Sequence, residues 1–263
     1  MEDILCLNGR VALVTGAGQG VGRQVALDLA AHGCDCVIVN DYFDDRARAV
    51  CAEIEALGGK AVAAPGDVTR FEDVERWLTD AVTHAGGLDI VVNNAGNAGP
   101  QDDLSKLPVF WETGPADWAN WLNVNLYGVL NVCRIAVPLI LQRQAGGSIV
   151  NVISDAGRVG EPRLAVYSGA KAAASGFSRA LAKELGRHRI RVNAVALSSV
   201  RTPGVAALLQ DEEVVKRITR QYPLGRLGEP SDAANLILFL ASNASAWITA
   251  QTYPVNGGYA VSS

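Results

Sequence analysis

Three side chains between Ser154 and Lys171 have the chemistry needed to move a proton to or from an alcohol or carbonyl oxygen. Tyr167 and Lys171 are four residues apart, so on a helix both project from the same face. A phenol titrates near pH ~10 in water, and an ammonium held beside it is expected to lower that pKa by favouring the phenolate. Ser154 ends an apolar run, Ser148–Ile153, that is predicted to be a buried strand, and its hydroxyl can hydrogen-bond a substrate oxygen. For the Tyr–Lys spacing alone, a solvated pair on an amphipathic helix is the competing interpretation.

None of these side chains can donate or accept a hydride, so the reaction of an alcohol or ketone requires a cofactor. A candidate site for one begins at Val11–Thr15, a short apolar run that predicts a buried strand stopped by glycine. A helix is predicted from Val21 to about Ala31. The glycines between the two, in TGAGQGVG, permit positive φ angles and close backbone approach to a ligand, and a helix N-terminus favours a pyrophosphate. The residues expected to contact the cofactor here are Gly16, Gln19, Gly20, Val21 and Gly22.

A carboxylate stands at the end of the second predicted strand, Cys36–Asn40. Asp41 at this position can accept hydrogen bonds from the ribose hydroxyls of an adenosine, and it would repel a 2′-phosphate. Neither Gln19 in the loop nor Tyr42 after the strand is basic, and the nearest arginines lie further into the next helix. NAD is therefore favoured over NADP. The alternative role for Asp41 is the N-cap of that helix.

The first half of the chain alternates predicted strands and helices, joined by short connections. This β-α-β-α pattern implies an α/β fold with a Rossmann-type, doubly wound parallel sheet. Ligands of such sheets bind outside the carboxyl ends of the strands, where Asp67 and Asn93–Gly96 are expected. The remaining elements predicted in this half are a helix over Asp44–Leu57, a strand over Lys60–Pro65, a helix over Arg70–His84 and a strand over Leu88–Val92.

The second half continues this pattern after a polar segment, 97–115, in which Phe110 and Trp111 either wall a substrate pocket or shield the protein interior from solvent. Asn125 lies inside a predicted long helix, Trp118–Arg143, and needs a reason not to compete with the backbone, such as a kink that carries a water. Val205–Arg220 is amphipathic and suits a movable lid over about 200–222. The other elements predicted here are a helix from the Tyr–Lys motif through Leu185, a strand over Arg189–Ala196, a helix over Pro230–Ala241 and a strand over Thr252–Val255.

Composition narrows the class of protein. The 263 residues carry a net charge of −4 and no Lys/Arg block, so nucleic acid is not expected as a partner. The sequence shows no evident run of ~18 apolar residues, and its start has acids where a signal peptide has bases, so no membrane partner is expected and the cytoplasm is the expected location. The cysteines and histidines have no metal-ligand spacing, and GxSxG is absent, so neither a metal site nor a Ser-His-Asp hydrolase is predicted. The regular alternation favours a single domain over residues 1–263.

Taken together, these motifs resemble the short-chain dehydrogenase/reductase family, in its single-domain branch. The match extends from Gly9 to Gly258, and it is similar in particular to 3-oxoacyl-ACP reductase-like members and to alicyclic or β-hydroxyacyl-CoA dehydrogenases. The resemblance implies a seven-stranded Rossmann-type sheet, a bound nicotinamide cofactor and a homotetramer. It rests on TGAGQGVG at Thr15–Gly22, Asp67, NNAG at Asn93–Gly96, Asn125, Ser154 and YSGAK at Tyr167–Lys171.

The catalytic residues of the family correspond to Asn125, Ser154, Tyr167 and Lys171. The resemblance implies that Tyr167 is the general base in oxidation and the general acid in reduction, and that Lys171 lowers its pKa and holds the nicotinamide ribose. Ser154 would position the substrate oxygen, and Asn125 would support a water that leads protons away from Lys171. The further cofactor contacts that the resemblance implies are Asp67 and Val68 at the adenine, Asn94, Ala95 and Gly96 at the middle of the cofactor, and Val200 and Thr202 in the nicotinamide pocket. Tyr167 and Lys171 are expected to contact the cofactor as well.

Two stretches depart from the family pattern. Leu197 and Ser198 stand where the family usually has Pro-Gly, so the nicotinamide pocket is expected to have a different shape. Asp155 follows the candidate serine where a second serine or a small residue is common, and the run SDAGRVG is similar to branches that oxidise alicyclic or β-hydroxyacyl-CoA compounds. Arg158 and Arg163 either meet an acidic substrate or are surface arginines.

These observations predict an NAD-dependent oxidoreductase that interconverts a secondary alcohol and a ketone of a small-molecule substrate, with a cyclic or β-hydroxyacyl-CoA compound as the candidate. Two alternatives remain open. The first is an NADPH-dependent 3-oxoacyl-ACP reductase, against which Asp41 argues. The second is a non-catalytic NAD-binding subunit on the same fold, which would be expected to lack Tyr167 or Lys171.

Overall fold

A seven-stranded parallel sheet forms the centre of the computed structural model, which describes residues 3–98, 106–205 and 210–261. The strands are β1 Val11–Val14, β2 Cys36–Val39, β3 Ala61–Ala63, β4 Ile90–Asn93, β5 Gly147–Ser154, β6 Ile190–Leu197 and β7 Thr252–Val255. Their order across the sheet is β3-β2-β1-β4-β5-β6-β7, and every neighbouring pair is parallel. The order changes direction between β1 and β4, where the carboxyl ends of the strands leave a crevice for ligands. The predicted fold class is confirmed.

Helices cover both faces of this sheet. The helices are α1 Gly20–Ala31, α2 Asp44–Ala56, α3 Phe71–Ala85, α4 Pro115–Leu122, α5 Gly128–Arg143, α6 Ala156–Val159, α7 Ala165–Leu185, α8 Glu212–Thr219 and α9 Pro230–Ala241. The apolar sides of α1, α2 and α9 pack on one face, and those of α3, α5 and α7 pack on the other. The central strands are buried on both faces, which is why their sequences are continuous apolar runs.

The predicted ends of most elements lie within two residues of those observed, and the bounds of α9 and β7 agree fully. The long helix predicted over Trp118–Arg143 differs. It begins earlier, at Pro115, because a proline is well suited to the first turn of a helix. It is also interrupted, because Asn123–Tyr127 between α4 and α5 forms a π-helical turn.

Pro115–Arg143, taken as one helical stretch, is long and apolar enough to cross a membrane by length and composition. This differs from the expectation that no such segment exists. The evidence for a span is weak, because the core helix of a globular enzyme passes the same test. Here α5 packs against α3, and the π-helical turn packs against α7.

The structure describes part of the two segments predicted to border the site. In 97–115, residues 99–105 lie outside the described residues, Phe110 stacks on Trp118 at 5.6 Å between ring centroids, and Trp111 is 80% exposed. In the predicted lid, 206–209 lie outside the described residues. The helical part is α8, where Asp211 caps the N-terminus by accepting from two backbone amides.

A buried polar chain fixes α7 against the sheet. The Asn93 carboxamide donates to Asn151 at 2.8 Å, and the Asn151 carboxamide donates to the Ser178 hydroxyl at 2.8 Å. All three side chains are almost completely buried, so loss of any one bond would leave a polar group without a partner. Because α7 also carries Tyr167 and Lys171, this chain sets the position of the candidate catalytic pair relative to β4 and β5.

Candidate active site

A cleft of about 470 Å³ opens at the carboxyl ends of β4, β5 and β6. This is the edge at which the sheet topology predicts a ligand. Eight of the predicted site residues line the cleft: Val21, Asn94, Gly96, Ser154, Tyr167, Lys171, Val200 and Thr202. The cleft therefore brings the start of α1 together with the end of β5 and the first turns of α7, which lie in the other half of the sequence.

Tyr167, Ser154 and Lys171 lie together at the floor of this cleft. The Lys171 ammonium nitrogen is 6.0 Å from the centre of the Tyr167 ring, and it donates to the Val152 carbonyl at 3.0 Å. Burial raises the pKa of the Tyr167 phenol, and its hydrogen bond with Ser154 lowers that pKa. The expectation that Lys171 lowers the pKa of Tyr167 is not met in this structure, because the burial of the phenol outweighs the other influences on it.

The Lys171 ammonium is itself buried, and this burial lowers its pKa to about 8. Between pH ~8 and the ordinary lysine pKa of ~10.4, the unfolded chain therefore binds more protons at this residue than the folded chain does. Stability rises with pH wherever the unfolded state binds more protons. The buried ammonium thus lowers the stability of the folded chain most below pH 8, and this effect is relieved as the pH rises.

Replacement of Lys171 by Met is expected to remove this pH dependence. The free energy of unfolding of the wild-type chain, relative to Lys171→Met, should rise by about 2–3 kcal/mol between pH 7 and pH ~10.5. Urea unfolding at a series of pH values measures the difference. Lys183→Met, at an exposed position in the last turn of α7, is the control and should show no such rise. A difference that stays flat or falls with pH would contradict the burial of a titrating ammonium.

Asn125 lies in the π-helical turn and is completely buried. Its carboxamide nitrogen donates to the carbonyls of Trp121 and Asn97, and its oxygen accepts from the Asn97 amide. A π-turn disturbs the regular i→i−4 ladder, and the side chain bonds the carbonyl four residues earlier. Asn125 thus lies in a π-helical turn, where its carboxamide makes three hydrogen bonds to the backbone, and the expected kink with a water stays a prediction. The Asn125 oxygen and the Lys171 nitrogen are each 3.1 Å from the place that a Cβ on Gly96 would occupy.

The glycine loop after β1 interlocks with the segment after β4. The Thr15 hydroxyl accepts from the backbone amides of Asn94 and Ala95, and the Asn94 carboxamide donates to the Gly16 carbonyl. A Cβ on Gly22 would lie 2.3 Å from that carbonyl oxygen and 2.5 Å from the Asn94 side chain. Only glycine fits at this crossing of the two segments.

The same loop has backbone that few side chains cover. Gly16 and Gly20 have positive φ angles of 60° and 56°, and Gly20 lies against Thr202. Gln19 is the N-cap residue of α1, but its side chain makes no capping hydrogen bond. Unblocked backbone amides at a helix N-terminus suit the pyrophosphate of a dinucleotide. The residues present therefore fit the cofactor that the sequence predicts.

Asp41 is buried beside this loop. Its carboxylate accepts from the Gly18 amide at 2.9 Å and from the Phe43 amide at 3.1 Å. The N-cap of α2 is Phe43, so the alternative role of Asp41 as the N-cap is not observed. Arg46, in the first turn of α2, lies close to the loop: a Cβ added at Gly18 would clash with the Arg46 Cβ. The Arg46 guanidinium lies 4.5 Å from the centre of the Phe43 ring.

Asp67 and Val68 follow β3 and lie beside Asp41 rather than in the cleft itself. The neighbouring Gly66 amide donates to the Asp41 carbonyl at 3.0 Å. The Asp67 carboxylate accepts from the Thr69 amide, and the Val68 side chain is buried. The structure thus connects the segment that carries Asp67 and Val68 to Asp41 through the Gly66 amide, and their contact with an adenine stays a prediction.

Asp155 and Arg158, which lie in one of the two stretches that depart from the family pattern, interact with each other and are largely buried. The Asp155 carboxylate pairs with the Arg158 guanidinium and accepts from the Asn256 carboxamide at 2.7 Å. The Arg163 guanidinium donates to the Leu107 carbonyl. Both arginines therefore have partners within the chain, and the suggestion that they meet an acidic substrate receives no support from the structure.

Ser198, in the other stretch that departs from the family pattern, belongs to a cluster of side chains that sequence patterns did not identify. The Tyr222 hydroxyl lies 2.6 Å from the Ser198 hydroxyl and accepts from the Ser199 amide at 3.1 Å. The Tyr222 ring stacks on Tyr259 at 5.5 Å between centroids, and all four residues line the cleft. The only signal for this group in the sequence is the loss of Pro-Gly at 197–198, because contacts between residues so far apart follow from the fold.

The fold and the cleft together are those of a nucleotide-dependent oxidoreductase. The family model described as enoyl-(acyl carrier protein) reductase matches residues 16–260. Among the curated relatives, the 3-oxoacyl-[acyl-carrier-protein] reductase of Synechocystis is 37% identical over 96% of this chain and 97% of its own length. The 7alpha-hydroxysteroid dehydrogenase of Escherichia coli K12 is 33% identical over 98% of this chain and 96% of its own length.

Structural comparison gives the same result. A 7alpha-hydroxysteroid dehydrogenase, solved in complex with NADH and 7-oxo glycochenodeoxycholic acid, superimposes with a TM-score of 0.89 at 32% identity, with 98% of each chain covered. The chain belongs to the short-chain dehydrogenase/reductase family. It is an oxidoreductase of CH–OH or ketone groups that uses NAD or NADP.

Proposed function

We propose that this chain is an NAD-dependent dehydrogenase that interconverts a secondary alcohol and a ketone on a cyclic or β-hydroxyacyl-CoA substrate. The observation that carries the proposal is the placement of a buried phenol, a serine hydroxyl and a buried ammonium in one cleft with the glycine loop. A surface Tyr–Lys pair would have exposed side chains, whereas Tyr167 is 9% and Lys171 is 4% exposed. The bound nicotinamide cofactor would supply or take up the hydride.

The proton steps belong to the side chains of the cleft. Tyr167 would take the hydroxyl proton of the substrate in oxidation and return it in reduction. Ser154, which hydrogen-bonds that phenol, would hold the same substrate oxygen. Because burial raises the pKa of Tyr167, the phenolate needs a nearby positive charge, and the Lys171 ammonium is the candidate.

The proton must then leave a buried lysine. The Asn125 carboxamide oxygen and the Lys171 ammonium both face Gly96, where a Cβ would crowd the two groups. We propose that a water bound near these two groups relays the proton, with Asn125 as a positioning residue. Asn97 holds the Asn125 carboxamide in place through two backbone hydrogen bonds.

Asp41 supports NAD as the cofactor. Its carboxylate lies next to the glycine loop, where it would accept hydrogen bonds from the adenosine ribose hydroxyls of a bound dinucleotide and would repel a 2′-phosphate. Arg46 supports the second candidate, an NADPH-dependent 3-oxoacyl-ACP reductase, because its Cβ lies close to Gly18 and a guanidinium on this side chain can pair with a phosphate. The Asp41 carboxylate bonds the loop backbone directly, whereas the Arg46 guanidinium lies over the Phe43 ring, and this difference favours NAD.

The cofactor preference follows from kcat/KM measured with NAD and with NADP. Wild-type protein is expected to prefer NAD by about tenfold or more, equivalent to ~1.4 kcal/mol. Asp41→Asn keeps an oxygen for the Gly18 amide but removes the charge, so it should shift the ratio towards NADP by about tenfold. Asp45→Asn, at an exposed position in the first turn of α2, is the control and should leave the ratio unchanged. A strong NADP preference of the wild-type protein would favour the reductase instead.

The comparison with a solved relative supports a cyclic compound as the substrate. The structure of the 7alpha-hydroxysteroid dehydrogenase contains an alicyclic ketone, and that protein matches the present chain over 98% of its length. The cleft volume of about 470 Å³ is in the range of small-molecule sites. We therefore place a cyclic secondary alcohol first among the candidate substrates and a β-hydroxyacyl-CoA second.

A further inference from the structure

A carboxylate and a phenol from distant parts of the chain meet at the wall of the cleft. Glu161 follows α6, and Tyr259 lies beyond β7. The Tyr259 hydroxyl donates to a Glu161 carboxylate oxygen at 3.3 Å, and both residues line the cleft that contains Tyr167. Neither residue belongs to the proton-handling group or to the glycine loop, so this pair has no part in the reaction as derived above.

The Tyr259 phenol is held in place by the residues packed against its ring. The Tyr259 ring stacks on Tyr222, whose hydroxyl is fixed by the Ser198 hydroxyl and the Ser199 amide. Tyr222 is 5% exposed, so the stack has little freedom to move. The backbone that follows β6 thereby positions the Tyr259 hydroxyl towards Glu161.

The Glu161 carboxylate carries a negative charge that no basic side chain neutralises within residues 3–98, 106–205 and 210–261. The neighbouring arginines are already engaged, since Arg158 pairs with Asp155 and Arg163 donates to the Leu107 carbonyl. Burial and the Glu161 charge both raise the pKa of the Tyr259 phenol. Glu161 is half-buried, so its charge is only partly screened by solvent.

We infer that Glu161 and Tyr259 form a substrate-selecting pair, which favours a substrate with a hydroxyl or ammonium donor at this end of the cleft and disfavours one with a carboxylate there. This inference rests on the proposed function, because it concerns a second polar group on the molecule whose alcohol lies at Tyr167. A carboxylate oxygen can only accept hydrogen bonds, so it binds donors and repels another carboxylate. Such a pair selects partly by repulsion, which is an effective source of specificity.

Three matched probes test the pair: cyclohexanols that carry an amino, a carboxamide or a carboxylate group across the ring from the hydroxyl. The carboxamide and the carboxylate have nearly the same shape, so the ratio of their kcat/KM values isolates the effect of charge. Glu161→Gln is expected to raise the carboxylate-to-carboxamide ratio by about tenfold, which corresponds to ~1.4 kcal/mol. It should also lower kcat/KM for the amino probe by a similar factor.

Two further variants separate charge from shape and position. Tyr259→Phe keeps the Tyr222 stack but removes the hydroxyl, and it should lower kcat/KM for the carboxamide probe about threefold while retaining discrimination against the carboxylate. Glu184→Gln, at an exposed position on α7, is the control for removal of one charge from the whole protein. It should leave all three values unchanged.

Binding provides a readout that does not depend on turnover. In a Tyr167→Phe background with saturating cofactor, calorimetry gives dissociation constants for the probes with and without Glu161→Gln, and the same tenfold change in ratio is expected. An unchanged ratio would overturn the selecting role of the pair, whether or not the wild-type protein turns the probes over. Wild-type protein that binds the probes with the expected ratio but oxidises none of them with NAD or NADP would instead count against the proposed function.

Discussion

Replacement of Tyr167 by Phe is expected to lower kcat by about 10²–10⁴-fold, the usual contribution of a positioned general acid or base. The ring fills the same buried space, but the variant has no oxygen to exchange a proton with the substrate. Because the phenol lies at the floor of the cleft and not in the glycine loop, the cofactor dissociation constant should change less than about threefold. Steady-state kinetics with a panel of cyclic alcohols, together with calorimetric titration of NAD, measure both quantities.

Tyr127→Phe is the matched control, because Tyr127 is 50% exposed and does not line the cleft. It should retain nearly all activity. If Tyr167→Phe kept more than a tenth of wild-type kcat, the proton would have to move through another group. If the wild-type protein bound NAD but oxidised none of the panel, the non-catalytic subunit would become the better interpretation.

Gly22→Ala is expected to weaken dinucleotide binding by at least about 100-fold, or ~2.7 kcal/mol. The new Cβ would lie within 2.3 Å of the Gly16 carbonyl oxygen and 2.5 Å of the Asn94 carboxamide, so the loop has to move away from the segment after β4. Such overpacking also costs about 1–3 kcal/mol of stability. Calorimetric titration of NAD gives the first effect, and urea unfolding gives the second and shows that the variant is folded.

Gly186→Ala is the control for this substitution. Gly186 has a φ of −55°, which any residue adopts, and a Cβ there would meet no atom within 4 Å. It should bind NAD as the wild-type protein does. Native affinity in Gly22→Ala would mean that the observed interlock does not hold the loop in its binding conformation.

The sheet and its main helices could be predicted because their signals are local. The continuous apolar runs of buried parallel strands, such as Val11–Val14, differ from the helical spacing of α1, and glycines separate the two. The four-residue spacing of Tyr167 and Lys171 likewise places both on one face without any knowledge of the fold. These features needed only the continuous apolar runs of the strands and the helical period of 3.6 residues.

The rest depends on contacts that a single sequence does not contain. Glu161 and Tyr259 are far apart in the chain, and their hydrogen bond exists only because two loops meet over the same cleft. The rise in the pKa of Tyr167 depends on its burial, which cannot be deduced from its neighbours in the sequence. The approach of Arg46 to Gly18 likewise depends on how the start of α2 packs against the glycine loop.

The π-turn at Asn123–Tyr127 corresponds to one extra residue in an otherwise continuous helix. Each residue of an α-helix turns the chain by about 100°. Deletion of a single residue there would restore a regular α-helix and would rotate α4 about its axis relative to α5. The Asn125 carboxamide would then face away from Gly96, although almost every amino acid of the chain had been kept. For the proposed proton route, the chain length within those five positions therefore matters as well as the identity of the asparagine.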